Sequence, residues 1–137
     1  MTRFARDEAP GSGRAEDVSR AILAELRRGR REPEREVDLH RMLARDAKAL
    51  LARELADAVC SGERCVLVIH GRGLHSGEGG PVLRDALPGW LSSGPVASRV
   101  MAFAPAPPRL GGPGATLVLL RRSRAPRVSS AASEDEA

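Results

Sequence analysis

The sequence predicts an α/β fold, a two-layer β-α-β-α-β-β sandwich with a mixed four-stranded sheet and flexible N- and C-terminal tails. Three observations carry this. Short runs rich in valine and isoleucine alternate with a longer stretch whose apolar residues recur at helical spacing. Clusters of glycine and proline separate these runs where connections are needed. A chain of 137 residues with 42% hydrophobic content supports one modest core rather than two.

The elements follow in order. Residues 1–36 form a charged arm, broken by Pro10, Gly11, Gly13, Gly29 and Pro33. Within it Val18, Ala21, Ile22, Leu23 and Leu26 fall near helical spacing after Asp17, so a short helix is expected there, either marginal and solvated or docked on the core. Val37–His40 is a short strand. Leu43, Ala47, Leu50, Leu51, Leu55, Ala58 and Val59 then mark one face of an amphipathic helix ending near Gly62. Cys65–Ile69 is continuously apolar, as in a central strand covered on both faces. Residues 71–80 are too glycine-rich for regular structure, and Pro81 suits the first turn of a helix running toward Leu91, with Pro88 and Gly89 kinking or shortening it. Val96–Ala104 is a further strand, residues 105–114 a proline and glycine loop, and Ala115–Leu120 a last apolar strand. Strands joined through helices should run parallel with right-handed crossovers, and the last pair, joined by a loop, antiparallel. The domain is expected over residues 37–122 and a disordered serine, alanine and acid tail over 123–137.

Composition narrows the function. No run approaches the roughly 20 apolar residues that span a bilayer, and the charged first ten residues leave no room for a secretory signal, so a cytoplasmic protein with no membrane partner is expected. Cys60 and Cys65 are too few for a zinc finger and read as two buried thiols rather than a disulfide. Net charge is +4, and every basic residue except Lys48 is arginine, whose forked donors suit phosphate. With one tryptophan, two phenylalanines and no tyrosine, a base-stacking platform is disfavoured.

In an open α/β sheet ligands gather beyond the carboxyl ends of parallel strands. Here those ends carry Asp38-Leu39-His40 and His70-Gly71-Arg72-Gly73. If the two strands are neighbours, Asp38, His40 and His70 converge on one cleft. A histidine can then take the proton of an attacking hydroxyl while a carboxylate fixes its tautomer, with Arg72 on the phosphoryl oxygens and Gly71 and Gly73 allowing close approach. The plainer alternative is that a histidine ending a buried strand is merely hydrogen-bonded and that the glycines are turns. No Gly-Lys-Ser or Gly-Lys-Thr follows the glycines, and no G-x-G-x-x-G fits, so nucleotide cofactors are not expected. Asp38, His40, His70 and His75 lack the paired helical spacing of a metal site, so neither metal nor cofactor is assigned. A small phosphorylated ligand in the loop at residues 71–80 is a third possibility.

Val37-Asp38-Leu39-His40, then Val66–Gly73, then Gly111-Gly112-Pro113-Gly114-Ala115 before an apolar strand resemble the three landmarks of the Smr (small MutS-related) domain. The stretch Ala102–Ala106 strengthens the likeness, which runs from Val37 to Arg122. The resemblance implies a bacterial domain that binds or cuts DNA or RNA, sometimes at stalled ribosomes. It makes Asp38 and His40 the catalytic motif, places His70, Gly71 and Gly73 in a second motif whose loop is implicated in activity, and has Gly112 and Gly114 shape the cleft. Arg41, Arg72, His75 and Arg109 join the glycines as candidate nucleic-acid contacts. Two positions depart from the family pattern: Arg41 stands where glycine usually follows Asp-Leu-His, and Leu117 replaces an aromatic in the last strand. The expected function is metal-independent phosphodiester cleavage of RNA or DNA; the alternative is a non-catalytic adaptor for nucleic acid or the ribosome.

Overall fold

The computed structural model describes residues 2–6, 8–72 and 83–123. The strands are β1 (Gly13–Arg14), β2 (Arg35–Asp38), β3 (Cys65–Ile69), β4 (Val100–Pro105) and β5 (Ala115–Leu120), and the helices are α1 (Arg20–Arg27), α2 (Ala44–Cys60), α3 (Leu83–Leu91) and α4 (Gly94–Ala97). They form one mixed sheet in the order β1-β4-β5-β3-β2. β2 and β3 are parallel, with Asp38 beside Ile69, and β5 lies antiparallel between β3 and β4. The expected order of strands and helices is present.

The sheet has five strands rather than four, because β1 from the charged arm pairs antiparallel with β4, Gly13 opposite Phe103. Glycine is needed at position 13, since a β-carbon there would come within 2.6 Å of Phe103 Cε2. Beyond β1, α1 docks on the sheet. Its N-cap Ser19 accepts a hydrogen bond from the Ile22 amide, and Leu23 and Leu26 are buried.

The reason is topological. The chain steps from β2 to β3 to β4 in one direction across the sheet, so right-handed crossovers put α2 and α3 on the same face. There Leu51, Leu55 and Leu87 pack on Val37, Leu39, Val66 and Val68. The other face carries Leu67, Leu117 and Leu119, which would lie bare without Leu23 and Leu26 from α1. Burying one such leucine gives about 1.5–3 kcal/mol, which is why a charged arm with two well-spaced leucines folds onto the domain. On the opposite edge Arg35 ties β2 to Glu54 and Asp57 of α2, each at 2.9 Å, and to Glu63 in the loop after it at 2.6 Å.

Three local expectations change. Val96 belongs to the short helix α4, not to the following strand, because Pro95 suits a helix's first turn. α3 continues through Pro88 to Leu91. Both cysteines are free, but only Cys65 is buried, its thiol pushed up to about 11 by burial; Cys60 ends α2 in solvent. Pro81 and the tail from residue 124 lie outside the described residues. Among those residues no helix is long and apolar enough to cross a membrane.

Candidate functional site

Side chains alternate along β2 and the two residues that follow it, so Val37 and Leu39 enter the α2 side of the sheet while Glu36, Asp38 and His40 face the other way. Leu39 is fully buried and its amide donates to the Ile69 carbonyl at 2.7 Å, pinning the motif to the end of β3. The chain then turns at Arg41, whose φ of 68° is the left-handed conformation that glycine adopts without strain. This explains why glycine suits this position. Arg41→Gly is expected to raise stability by about 1 kcal/mol through release of that strain, which thermal unfolding would register as a higher Tm.

His40 lies beside Asp38 on this face. Asp38 Oδ1 accepts from His40 Nδ1 at 2.6 Å and from the His40 amide at 3.1 Å. Both side chains are about half exposed, at 54% and 50%. The hydrogen bond from His40 holds the Asp38 carboxyl below its usual range, so it is ionised at neutral pH. A carboxylate only accepts, so Nδ1 carries the proton and, in the neutral ring, the Nε2 lone pair is available. Nε2 has no partner among the described residues.

The pair opens onto a depression of about 450 Å3 floored by Leu67 and Ile69, with Arg109, Gly111 and Gly114 on its far side. Gly111 and Gly112 have φ of 117° and 55°, the left-handed values that fold this loop under β3. The Gly114 carbonyl then accepts from both the His70 and Gly71 amides at 3.0 Å. Gly71, with φ of 86°, lies against His40, and a β-carbon on Gly114 would meet Arg72 Cγ at 3.4 Å. Arg109 is held by the arm, its Nη2 donating to the Gly29 carbonyl at 2.6 Å and pairing with Glu32 at 3.0 Å. The exposed side chain of Arg72 lies against Gly114, and its carbonyl accepts from Arg84 at 2.7 Å. Gly73 and His75 lie outside the described residues.

His70 does not join Asp38 and His40. It follows Ile69 on β3 and so points through the opposite face, toward Leu87 and Phe103. It is 5% exposed, and both ring nitrogens are engaged: Nδ1 with the Gly71 carbonyl at 2.7 Å and Nε2 with Thr116 Oγ1 at 2.9 Å. The carbonyl can only accept, so Nδ1 donates and Nε2 of the neutral ring accepts from Thr116. The expectation that His70 converges with Asp38 and His40 is therefore corrected: His70 ends its strand hydrogen-bonded on the other face of the sheet. Sequence reasoning assigns no role to Thr116, although it is the one polar side chain in the apolar run of β5 and signals a buried partner.

Burial lowers the affinity of His70 for a proton from its ordinary 6.5. The unfolded chain thus binds more protons than the folded one just below pH 6.5, and stability is lost as pH falls through that window, by at most about 1.4 kcal/mol per pH unit. Urea unfolding at stepped pH should show this slope in the wild type and its absence in His70→Asn.

Comparison with known proteins agrees with this fold. Over 119 residues, 87% of this chain and 57% of the relative, the sequence is 39% identical to the ribosome rescue factor SmrB of Vibrio campbellii. A Vibrio cholerae protein of the same name is 37% identical over 83% of this chain and 56% of its own length, so the chain spans little more than half of these relatives. Among solved structures, YdaL, a stand-alone small MutS-related protein from Escherichia coli, superposes with a TM-score of 0.68 at 27% identity, over 84% of this chain and 86% of that one. The Smr domain of Thermus thermophilus MutS2 superposes with a TM-score of 0.53 at 33% identity, over 64% of this chain and 98% of that one. Residues 37–121 match the Smr domain, from the strand that carries Asp38 to the end of β5, and the chain belongs to the Smr domain family.

Proposed function

We propose that this protein binds RNA at or near ribosomes and that Asp38 and His40 form a metal-independent acid–base couple that cleaves it. The observation that carries the reading is the half-exposed Asp38–His40 pair, with Nδ1 fixed by a carboxylate and Nε2 left for substrate. The relatives named as ribosome rescue factors direct the choice to RNA. In the proposed step Nε2 takes the proton of the ribose 2′-hydroxyl, the oxygen bonds to phosphorus, and the bond to the departing 5′-oxygen breaks, that oxygen taking a proton from water. Asp38 stabilises the resulting imidazolium. Arg72 and Arg109 flank the approach and suit the phosphoryl charge.

A binding role without cleavage has its own support. Only one imidazole faces the depression among the described residues, since His70 is turned away, and Arg41 places a cation and a strained turn directly after the motif. The test is incubation with labelled single-stranded and duplex RNA and DNA in EDTA, with binding followed over a salt series. Wild-type cleavage of RNA alone supports the couple. Binding that weakens steeply with salt, with no cleavage, supports the adaptor. Neither binding nor cleavage of any of the four nucleic acids overturns both.

A further inference from the structure

The end of the sheet remote from His40 carries a second cluster of arginines. Arg64 precedes β3, and Arg121 and Arg122 follow β5, which runs antiparallel beside it. With Arg3 they line an open trough of about 960 Å3, and Arg64, Arg121 and Arg122 also line an adjoining depression of about 300 Å3. Arg64 and His70 are six positions apart along extended chain, so this trough lies about 20 Å from the end of the sheet that bears Asp38 and His40.

Most of the carboxylates near Arg3, Arg64 and Arg122 already have other partners. Asp17 is held by both terminal nitrogens of Arg121, at 3.0 and 2.7 Å. Glu63 is bound to Arg35. Glu34 spends one oxygen on the backbone amides of Arg64 and Cys65, at 2.6 and 3.2 Å. Glu16 lines the trough as well. Among the described residues no carboxylate forms an ion pair with Arg3, Arg64 or Arg122.

Arg64 is held in place without a counter-charge. Its Nε donates to the Leu120 carbonyl at 2.7 Å and Nη2 meets Met101 Sδ at 3.3 Å, which leaves Nη1 for a ligand. Partial burial and the neighbouring Arg122 and Arg31 disfavour its charge, and Glu34 opposes them. A fixed guanidinium among like charges is what a phosphate would relieve. Among the described residues the lining lacks an aromatic, and Met101 is the one large apolar side chain there, whereas a protein interface is anchored by buried aromatic and apolar groups. Phosphate backbone recognition requires no such anchor.

We propose that Arg3, Arg64 and Arg122 form a second binding site for an RNA phosphate backbone, at the opposite end of the sheet from Asp38 and His40. The protein then grips a long RNA at two points, or bridges two RNA segments. Phosphates at the second site sit too far from His40 to react.

The site is tested by anisotropy titration of a labelled 20-base-pair RNA duplex, in a His40→Ala background so that the readout does not depend on cleavage. Arg3→Glu/Arg122→Glu replaces two exposed side chains and should weaken binding about 10-fold at low salt. The logarithmic salt slope should fall by about two, close to one for each phosphate no longer neutralised. Lys48→Glu/Arg53→Glu, with the same charge change on exposed positions of α2, should have a much smaller effect. Equal weakening by both pairs would mean that overall charge alone acts, and the proposal fails. It fails equally if the trough variant binds RNA as the parent does, or if that variant loses binding of poly-glutamate while keeping that of RNA.

Discussion

His40→Ala is expected to lower the rate of RNA cleavage about 100-fold to 10,000-fold, the usual contribution of a positioned general base. Binding should change little, because the affinity is expected to rest mainly on arginine contacts to phosphate. Asp38→Asn should act in the same direction but less strongly: its amide oxygen can still accept from Nδ1, while the charge that stabilises the imidazolium is gone. His70→Asn provides the contrast. Since His70 faces the other side of the sheet with both nitrogens engaged, its replacement should reduce stability and leave the rate per folded molecule close to wild type. Single-turnover cleavage at matched folded fractions separates these outcomes. Equal losses for His40→Ala and His70→Asn would remove the distinction drawn between them, and a fully active His40→Ala would remove the couple itself.

Leu39→Ala should have the largest effect on folding, a loss of about 2–5 kcal/mol in chemical denaturation. Leu39 is fully buried in the core shared with α2 and α3, between the two site residues. The expected result combines this loss with reduced affinity or cleavage even under conditions that keep the chain folded, because Leu39 fixes the strand end from which Asp38 and His40 project. A loss under about 1 kcal/mol would mean that the β2 end is not anchored as described.

Much of the fold was legible in the sequence. The helical repeat from Leu43 to Val59, the unbroken apolar run at residues 65–69 and the mainly apolar run at 115–120 left little choice of element type, and crossover handedness then set the strand directions. The arm was harder to read. Its charge and glycines suggest a solvated segment, and periodicity shows that a helix has an apolar face without showing what covers it. A related clue lay in Cys65–Ile69, since a strand apolar on both faces needs cover on both.

The candidate site divides along the same line. The residue types and their spacing alone made Asp38 and His40 a pair, because positions two apart on a strand share a face, and only side-chain chemistry is needed to couple them. Whether His70 joined them depended on which face of β3 it left by, and that parity is set by the register of β2 against β3, Asp38 beside Ile69. One residue further along, His70 emerges on the other side and meets Thr116, which is 46 positions away in the chain. Local chemistry is written in neighbouring residues and needs only the local strand conformation. Convergence of distant residues is decided by sheet register and layer order, which the packing of the whole chain fixes.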